Sequence, residues 1–369
     1  MQVRKLGLLI CVATWALSSL TAAGQTLPTA LDRQARETIF FPFQTHILSP
    51  WFEAQADGWV DGLPSEEGAP VKLRYKAFVD PEHEANLVIV HGYGERAEKY
   101  QEFMYDAFRR GFNVFYVDQR GFGHSSRINP EGEATYVRTF EDYADDMAHF
   151  ITEVVDVRAP GLRKYVYAHS MGGLVAVQLA HKHPEMIHAV VLNAPMLDIK
   201  TAPFPQTVVL GLGSVFSGLG VGGRYAFGQI PAHPEAFEKA HTSSEARWQA
   251  FQSFIRQPDE WRFSAHGASF RWIKESLRAS REAIESEYAS QVKVPIVLFQ
   301  AENDALIDRK GQALFCERAP NCERVFVAGA KHEIYRESDA IRVPYLQQVF
   351  AFYEHHGKAR NRETRIAAP

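Results

Sequence analysis

The stretch from Tyr165 to Ala176 constrains the fold more than any other. Tyr165-Val166-Tyr167-Ala168 is a short run, apolar on both faces, of the kind found in parallel strands buried between helices. Leu174-Val175-Ala176, a few residues on, opens a helix. Between them His169-Ser170-Met171-Gly172-Gly173 leaves room only for a sharp turn. A serine on a strand–turn–helix corner is lifted to the carboxyl edge of a sheet, and small neighbours are needed because strand and helix approach closely there. The position usually held by a first glycine is Ala168, the next smallest side chain. The helix opening at Ser170 also directs the positive end of its dipole at the corner.

Other short apolar runs repeat the theme: Leu87-Val88-Ile89-Val90, Val114-Phe115-Tyr116-Val117, Ala189-Val190-Val191-Leu192, Pro295 to Phe299 and Val325-Phe326-Val327. Two edge-like strands are expected before them, around Phe52 to Trp59 and over Val71 to Phe78, where apolar and basic residues alternate. Helical periodicity lies between most runs: Phe140, Tyr143, Met147, Phe150 and Val154 mark one face, and His169 to Lys182 and Ala340 to Tyr353 form others. This alternation predicts an α/β fold with a mostly parallel, doubly wound sheet. It breaks between Pro195 and Val292, a stretch with a Gly-rich apolar segment (Val208 to Gly223) and then Trp248, Phe251, Phe254, Trp261, Phe270 and Trp272. That stretch reads as a helical cap inserted after the sixth strand. The expected organisation is a leader over 1–24, an irregular segment over 25–50, a core of 51–195 and 293–356, a cap of 196–292 and a frayed polar tail over 357–369.

A serine hydroxyl needs a base to become a nucleophile. In this architecture the acid follows a late strand and the histidine follows the next one. The loop after Pro295 to Gln300 offers Glu302, Asp304 and Asp308. Asp304 is the choice and Asp308 the second, the others being solvated carboxylates. His332 follows the strand at Val325 to Gly329, and its position singles it out among 15 histidines. The oxyanion requires preorganised N–H donors. Met171 and Tyr93 are the candidates, Tyr93 within a supporting loop His91-Gly92-Tyr93-Gly94. The glycine-containing loop from Asp118 to Ser125 reads as a structural turn, and His124 as a structural residue. No H-E-x-x-H helix, P-loop or dinucleotide fingerprint is present, so neither a metal nor a cofactor is expected.

A net charge of −4 supplies no basic field for nucleic acid. Arg4 and Lys5, the uncharged apolar run Leu6 to Leu20 and the small residues Thr21 to Gly24 have the layout of a cleaved signal peptide. The run is shorter than the ~20 residues of a spanning helix; the alternative is an uncleaved N-terminal anchor. Cys11 lacks the preceding small residues of a lipid-attachment site. With the leader removed, Cys316 and Cys322 remain, an even pair that suggests a disulfide in a periplasmic or secreted protein.

Taken together, His91-Gly92-Tyr93-Gly94-Glu95, Asp118 to Ser125, His169 to Gly173, Asp304 and His332 resemble the monoacylglycerol lipase and lysophospholipase branch of the α/β hydrolases. Leu298 to Asn303 with Asp308, Lys331 to Ile334, His241-Thr242-Ser243-Ser244 and Phe270 to Ser276 are similar to the bacterial lysophospholipase L2 type within it. The resemblance covers about Ala85 to Tyr353. It implies Ser170 as nucleophile, Asp304 as acid, His332 as base and Tyr93 with Met171 as oxyanion donors. It also implies an esterase acting on fatty-acyl lipids, either lysophospholipid or monoacylglycerol. The alternatives are a general carboxylesterase with a non-lipid substrate and a non-catalytic binding protein on the same fold. The apolar part of the cap would line an acyl tunnel, touch a lipid surface transiently, or only pack the cap's own core.

Overall fold

Among the described residues of the computed structural model, eight strands form one sheet: β1 Gly58–Gly62, β2 Val71–Phe78, β3 Ala85–Val90, β4 Phe112–Val117, β5 Arg163–His169, β6 Ala189–Asn193, β7 Ile296–Ala301 and β8 Cys322–Val327. The description covers residues 36–366 apart from 231–235, 258–259, 261–262 and 264–266, with side chains to residue 357. The leader expected over 1–24 and the start of the 25–50 segment lie outside it.

The strand order is β1-β2-β4-β3-β5-β6-β7-β8. β1 and β2 pair antiparallel, as do β2 and β4, and every pairing from β4 across to β8 is parallel. The central strands are the continuous apolar runs of the sequence, and β4, β6 and β7 are buried along their whole length. Val88 sits level with Phe115 and Val166 on one face, and Leu87 level with Val114 and Tyr165 on the other, so aliphatic and aromatic residues fill both faces. β8 departs from expectation. It is a partly exposed edge strand with Phe326 50% exposed, because only β7 flanks it.

Two further segments differ from the sequence reading. Residues 37–53 are a helical run rather than irregular chain or the start of a strand, and β1 begins only at Gly58. Phe40, Leu48 and Phe52 turn inward from this run, and Trp51 stacks on Phe78 at 4.1 Å. Its prolines do not break the run, and Pro50 occupies the first turn of Ser49–Glu53, where its missing N–H removes nothing. The final helix runs Asp339–Ile366, through the segment expected to fray.

The insertion leaves the sheet after β6 and returns at β7. Its longer helices are Gln206–Gly218, Glu245–Ile255 and Phe270–Ala283. Ser244 and Ser269 cap the second and third, accepting from the N–H of Arg247 and Trp272. The first and third helices cross at Gly213, where a Cβ would stand 3.0 Å from the Phe270 carbonyl oxygen. Part of the glycine-rich character of this segment thus serves helix–helix contact. Among the described helices none is long and apolar enough to cross a membrane.

Candidate active site

The corner after β5 carries its serine in a conformation that L-residues rarely adopt. Ser170 has φ 52° and ψ −117°. Its N–H donates to the Asn193 carbonyl at 3.1 Å, and its own carbonyl accepts from Gly173 and Met196, each at 2.9 Å. These bonds to β6 and the chain beyond hold the strained residue in place. A Cβ at Gly172 would lie 2.2 Å from the Val90 carbonyl oxygen, and one at Gly173 would lie 2.5 Å from the Pro195 Cβ. The two glycines are therefore required by the approach of the helix Met171–Lys182 to the ends of β3 and β6. Ala168 is fully buried inside the sheet at the position that usually carries glycine.

The three dispersed side chains meet at this corner. Ser170 Oγ lies 2.8 Å from His332 Nε2, and His332 Nδ1 lies 2.7 Å from Asp304 Oδ2. A carboxylate can only accept, so His332 donates through Nδ1–H and turns the lone pair of Nε2 toward the hydroxyl. All three residues are buried, Ser170 being 7% exposed. Asp304 Oδ1 accepts the N–H groups of Leu306 and Ile307 at 2.8 and 3.0 Å. Burial pushes its pKa up, but the His332 hydrogen bond and charge, with these N–H donors, outweigh burial and hold the carboxyl below the usual aspartate range.

The neighbouring carboxylates have other duties. Asp308 caps the helix Arg309–Arg318 by accepting from the Lys310 N–H at 2.9 Å. Glu302 accepts from the Gly329 N–H at 2.7 Å and ties together the loops after β7 and β8.

The loop after β3 lies directly against the serine. A Cβ at Gly92 would come within 3.2 Å of the Ser170 Cβ and 3.0 Å of the His169 ring. His91 is buried; its Nε2 accepts from the Gln119 N–H at 2.8 Å, and its Nδ1 donates to the Gly92 carbonyl at 2.7 Å. Burial lowers its pKa, so the ring is neutral. Tyr93, next in the chain, packs edge-on against Phe122 and Trp272. Met171 is the first residue of its helix, where an N–H has no intrahelical partner.

Two residues to which the sequence reading gave no role complete the site's support. Glu95 Oε2 accepts from the Gly92 N–H at 2.7 Å and from the Tyr100 hydroxyl, while Oε1 accepts from Lys99 at 2.7 Å and from Tyr335 at 3.1 Å. Burial works against its charge, but the Lys99 ammonium prevails and its pKa falls to about 2. The signal was an acid three residues after Gly92, in reach of that N–H. His169, beside the nucleophile, has Nδ1 2.6 Å from the Asn193 side-chain amide, and its ring centroid is 4.8 Å from that of His332. Burial lowers its pKa to about 4. His124 contacts Phe263, with Asp118 and Arg96 nearby, rather than the serine. Cys316 and Cys322 are joined as a disulfide between the helix Arg309–Arg318 and β8. Among the described residues no cluster of His, Cys, Asp or Glu has the arrangement of a metal site.

The profile of the serine aminopeptidase S33 family (Hydrolase_4) matches residues 81–339. The lysophospholipase L2 of Escherichia coli K12 is 28% identical over 358 residues, covering 91% of this chain and 98% of its own. The probable lysophospholipase L2 of Haemophilus influenzae is also 28% identical, over 86% of this chain and 98% of its own. Among solved structures, a soluble variant of monoglyceride lipase from Saccharomyces cerevisiae superposes with a TM-score of 0.64 at 20% identity, covering 80% of this chain and 96% of that one.

Proposed function

We propose that this chain, which belongs to the serine aminopeptidase S33 family of α/β hydrolases, cleaves the carboxylic ester of a single-chain acyl lipid, a lysophospholipid or a monoacylglycerol. The observation that carries this reading is the relay from Asp304 through His332 to Ser170, at 2.7 and 2.8 Å, on a strained corner whose neighbouring Tyr93 packs against Trp272 of the insertion. The full-length matches to lysophospholipases support the substrate class.

The chemistry follows from the relay. As the Ser170 oxygen attacks the acyl carbon, His332 Nε2 takes its proton. Asp304 holds the tautomer and stabilises the imidazolium without itself becoming protonated. The tetrahedral oxyanion faces the N–H groups of Met171 and Tyr93. Its collapse releases the alcohol, which receives the proton from His332, and leaves the acyl group on Ser170. Water activated by the same imidazole then frees the fatty acid.

The insertion supplies the preference for long acyl groups and a transient contact with lipid surfaces. Val208, Val215, Leu219 and Phe227 are exposed on it. Each CH₂ buried contributes about 0.8 kcal/mol, so an apolar acyl site separates long chains from acetyl strongly. Export to the periplasm or beyond is supported by the leader-like N-terminus and by the Cys316–Cys322 bridge.

A fluorophosphonate probe combined with a substrate panel tests the reading. Wild type is expected to label and Ser170→Ala to lose labelling and at least about 10⁴-fold in kcat. Lysophosphatidylcholine, lysophosphatidylethanolamine and monoacylglycerols of increasing chain length are expected to outpace short-chain esters and aminoacyl arylamides. A preference for acetyl esters would point to a general carboxylesterase. Equal labelling of wild type and Ser170→Ala would remove Ser170 as nucleophile, and an unlabelled wild type would point to a non-catalytic protein.

A further inference from the structure

The loop that carries His332 is fastened on two sides: to the core, where Glu333 accepts from Lys99 at 2.6 Å and Arg342 donates to the Tyr335 carbonyl at 2.7 Å, and to the insertion. Glu337, fully buried, accepts from the Lys331 N–H at 2.7 Å through one oxygen, which closes the loop 331–337 on itself. Its other oxygen accepts from the N–H of Ser243 at 2.9 Å and from the Ser243 hydroxyl. The Thr242 hydroxyl donates to the Arg336 carbonyl at 2.6 Å. The N–H of Glu333, adjacent to the base, donates to the His241 carbonyl at 2.8 Å, and Lys331 Nζ reaches the Ala240 carbonyl at 3.1 Å. Just beyond, Arg336 donates to the Arg247 carbonyl at 2.5 Å. The segment 240–247 thus runs beside the loop and binds it through backbone groups on both sides of His332.

We infer that residues 240–244 of the insertion act as a brace for the catalytic histidine, with Glu337, Thr242 and Ser243 as positioning residues that set the reach of His332 to Ser170. The inference rests on the proposed role of His332 as base and adds to it. The insertion completes the reactive geometry. The physical reason is that β8 is an edge strand, so the sheet supports the loop after it from one side only, where Glu302 and Asn303 bind Gly329 and Ala330, and the other side is left to the insertion. The brace provides that support, and the Ser170–His332 hydrogen bond depends on it. A displacement of about 1 Å at a reacting group costs on the order of 100-fold in rate.

The test compares Glu337→Gln, Thr242→Val and Ser243→Ala with Leu73→Ala, a truncation in β2 remote from the brace, on the full chain. The readouts are the rate of fluorophosphonate labelling, kcat and KM on a soluble butyrate ester, and the midpoint of thermal unfolding. Thr242→Val and Glu337→Gln are expected to slow labelling and kcat by about 10- to 100-fold with KM within about threefold, and Ser243→Ala by less, since its backbone N–H remains. Leu73→Ala is expected to keep wild-type kcat despite a lower midpoint. Folded Thr242→Val and Ser243→Ala proteins that label at the wild-type rate overturn the brace even if Glu337→Gln does not fold. A kcat loss matched by Leu73→Ala at the same midpoint reduces it to general destabilisation and overturns it too. A wild type that does not label removes the base on which the inference depends, an outcome distinct from the others.

Discussion

The two halves of the insertion are built on opposite principles. The first, from Phe204 to Ile230, has an apolar outer surface: the helix Gln206–Gly218 buries only Gly213, and Val215, Leu219 and Phe227 are 57%, 70% and 69% exposed. The second half is anchored through buried charge. Arg247 pairs with Glu102 at 2.7 Å and with Asp339 at 2.5 Å, while Arg36 and Arg342 share Glu102 and Asp106 with each other. One half offers oil to the outside. The other ties the insertion to the core beside the loop that carries His332. If the first half meets substrate and lipid, as proposed, those contacts can vary without disturbing the brace that the second half supplies.

The largest expected effect attacks the anchored half. Arg247→Met removes the guanidinium that links Glu102, Asp339 and the Glu337 carbonyl. Breaking a buried ionic network from one side costs about 3–5 kcal/mol, because the remaining charges stay buried with less compensation. Urea unfolding measures this loss. A change under about 1 kcal/mol would mean that Arg36 and Arg342 suffice and that the second half is not anchored as described.

Acid sharpens the same contrast. His169 is buried and neutral, with its pKa lowered to about 4. In the unfolded chain a histidine titrates near 6.5. Between these values the unfolded state binds more protons, so stability rises with pH and is lost as pH falls from about 6.5 towards 4. The loss is on the order of 3 kcal/mol. The anchoring carboxylate Glu102 behaves differently: burial raises its pKa, but Arg247 and the other arginines hold it well below the usual range, so its contribution survives to lower pH. Unfolding free energies at pH 7 and 4.5 are expected to differ less in His169→Asn than in wild type. An undiminished difference in His169→Asn would place the acid-sensitive step elsewhere.

How far these features were legible in the sequence depends on the range of the interactions behind them. The buried strands were read nearly to their ends because Val, Ile, Leu and aromatic runs encode burial locally. Ser170 and His332 were found by chain order after strands. Asp304 stood among three carboxylates of one loop; what separates it from Asp308 and Glu302 is which carboxyl faces the imidazole, and spacing does not carry that. The helical run 37–53 was missed because its partners, Phe78 and the residues around Tyr105, lie far along the chain. The brace was invisible for a related reason. Its bonds join residues about ninety positions apart and mostly pair a side chain with a backbone atom, so few complementary side-chain pairs mark it.

The smallest effect separates the halves most cleanly. Val215→Ser changes a side chain on the exposed face of the first half. Because the side chain is mostly exposed in the folded protein, stability is expected to stay within about 0.5 kcal/mol of wild type. If this face enters a lipid surface, however, the valine is buried there, and removing it costs about 1.5 kcal/mol, close to a tenfold loss of vesicle partitioning. Sedimentation with phosphatidylcholine–phosphatidylglycerol vesicles measures the partitioning, and hydrolysis of a soluble short-chain ester is expected to be unchanged. Undiminished vesicle binding would take lipid contact away from this face and leave its apolar residues to line the acyl site. A matched loss of soluble-ester activity would show instead that the first half, like the second, bears on the alignment of the catalytic groups.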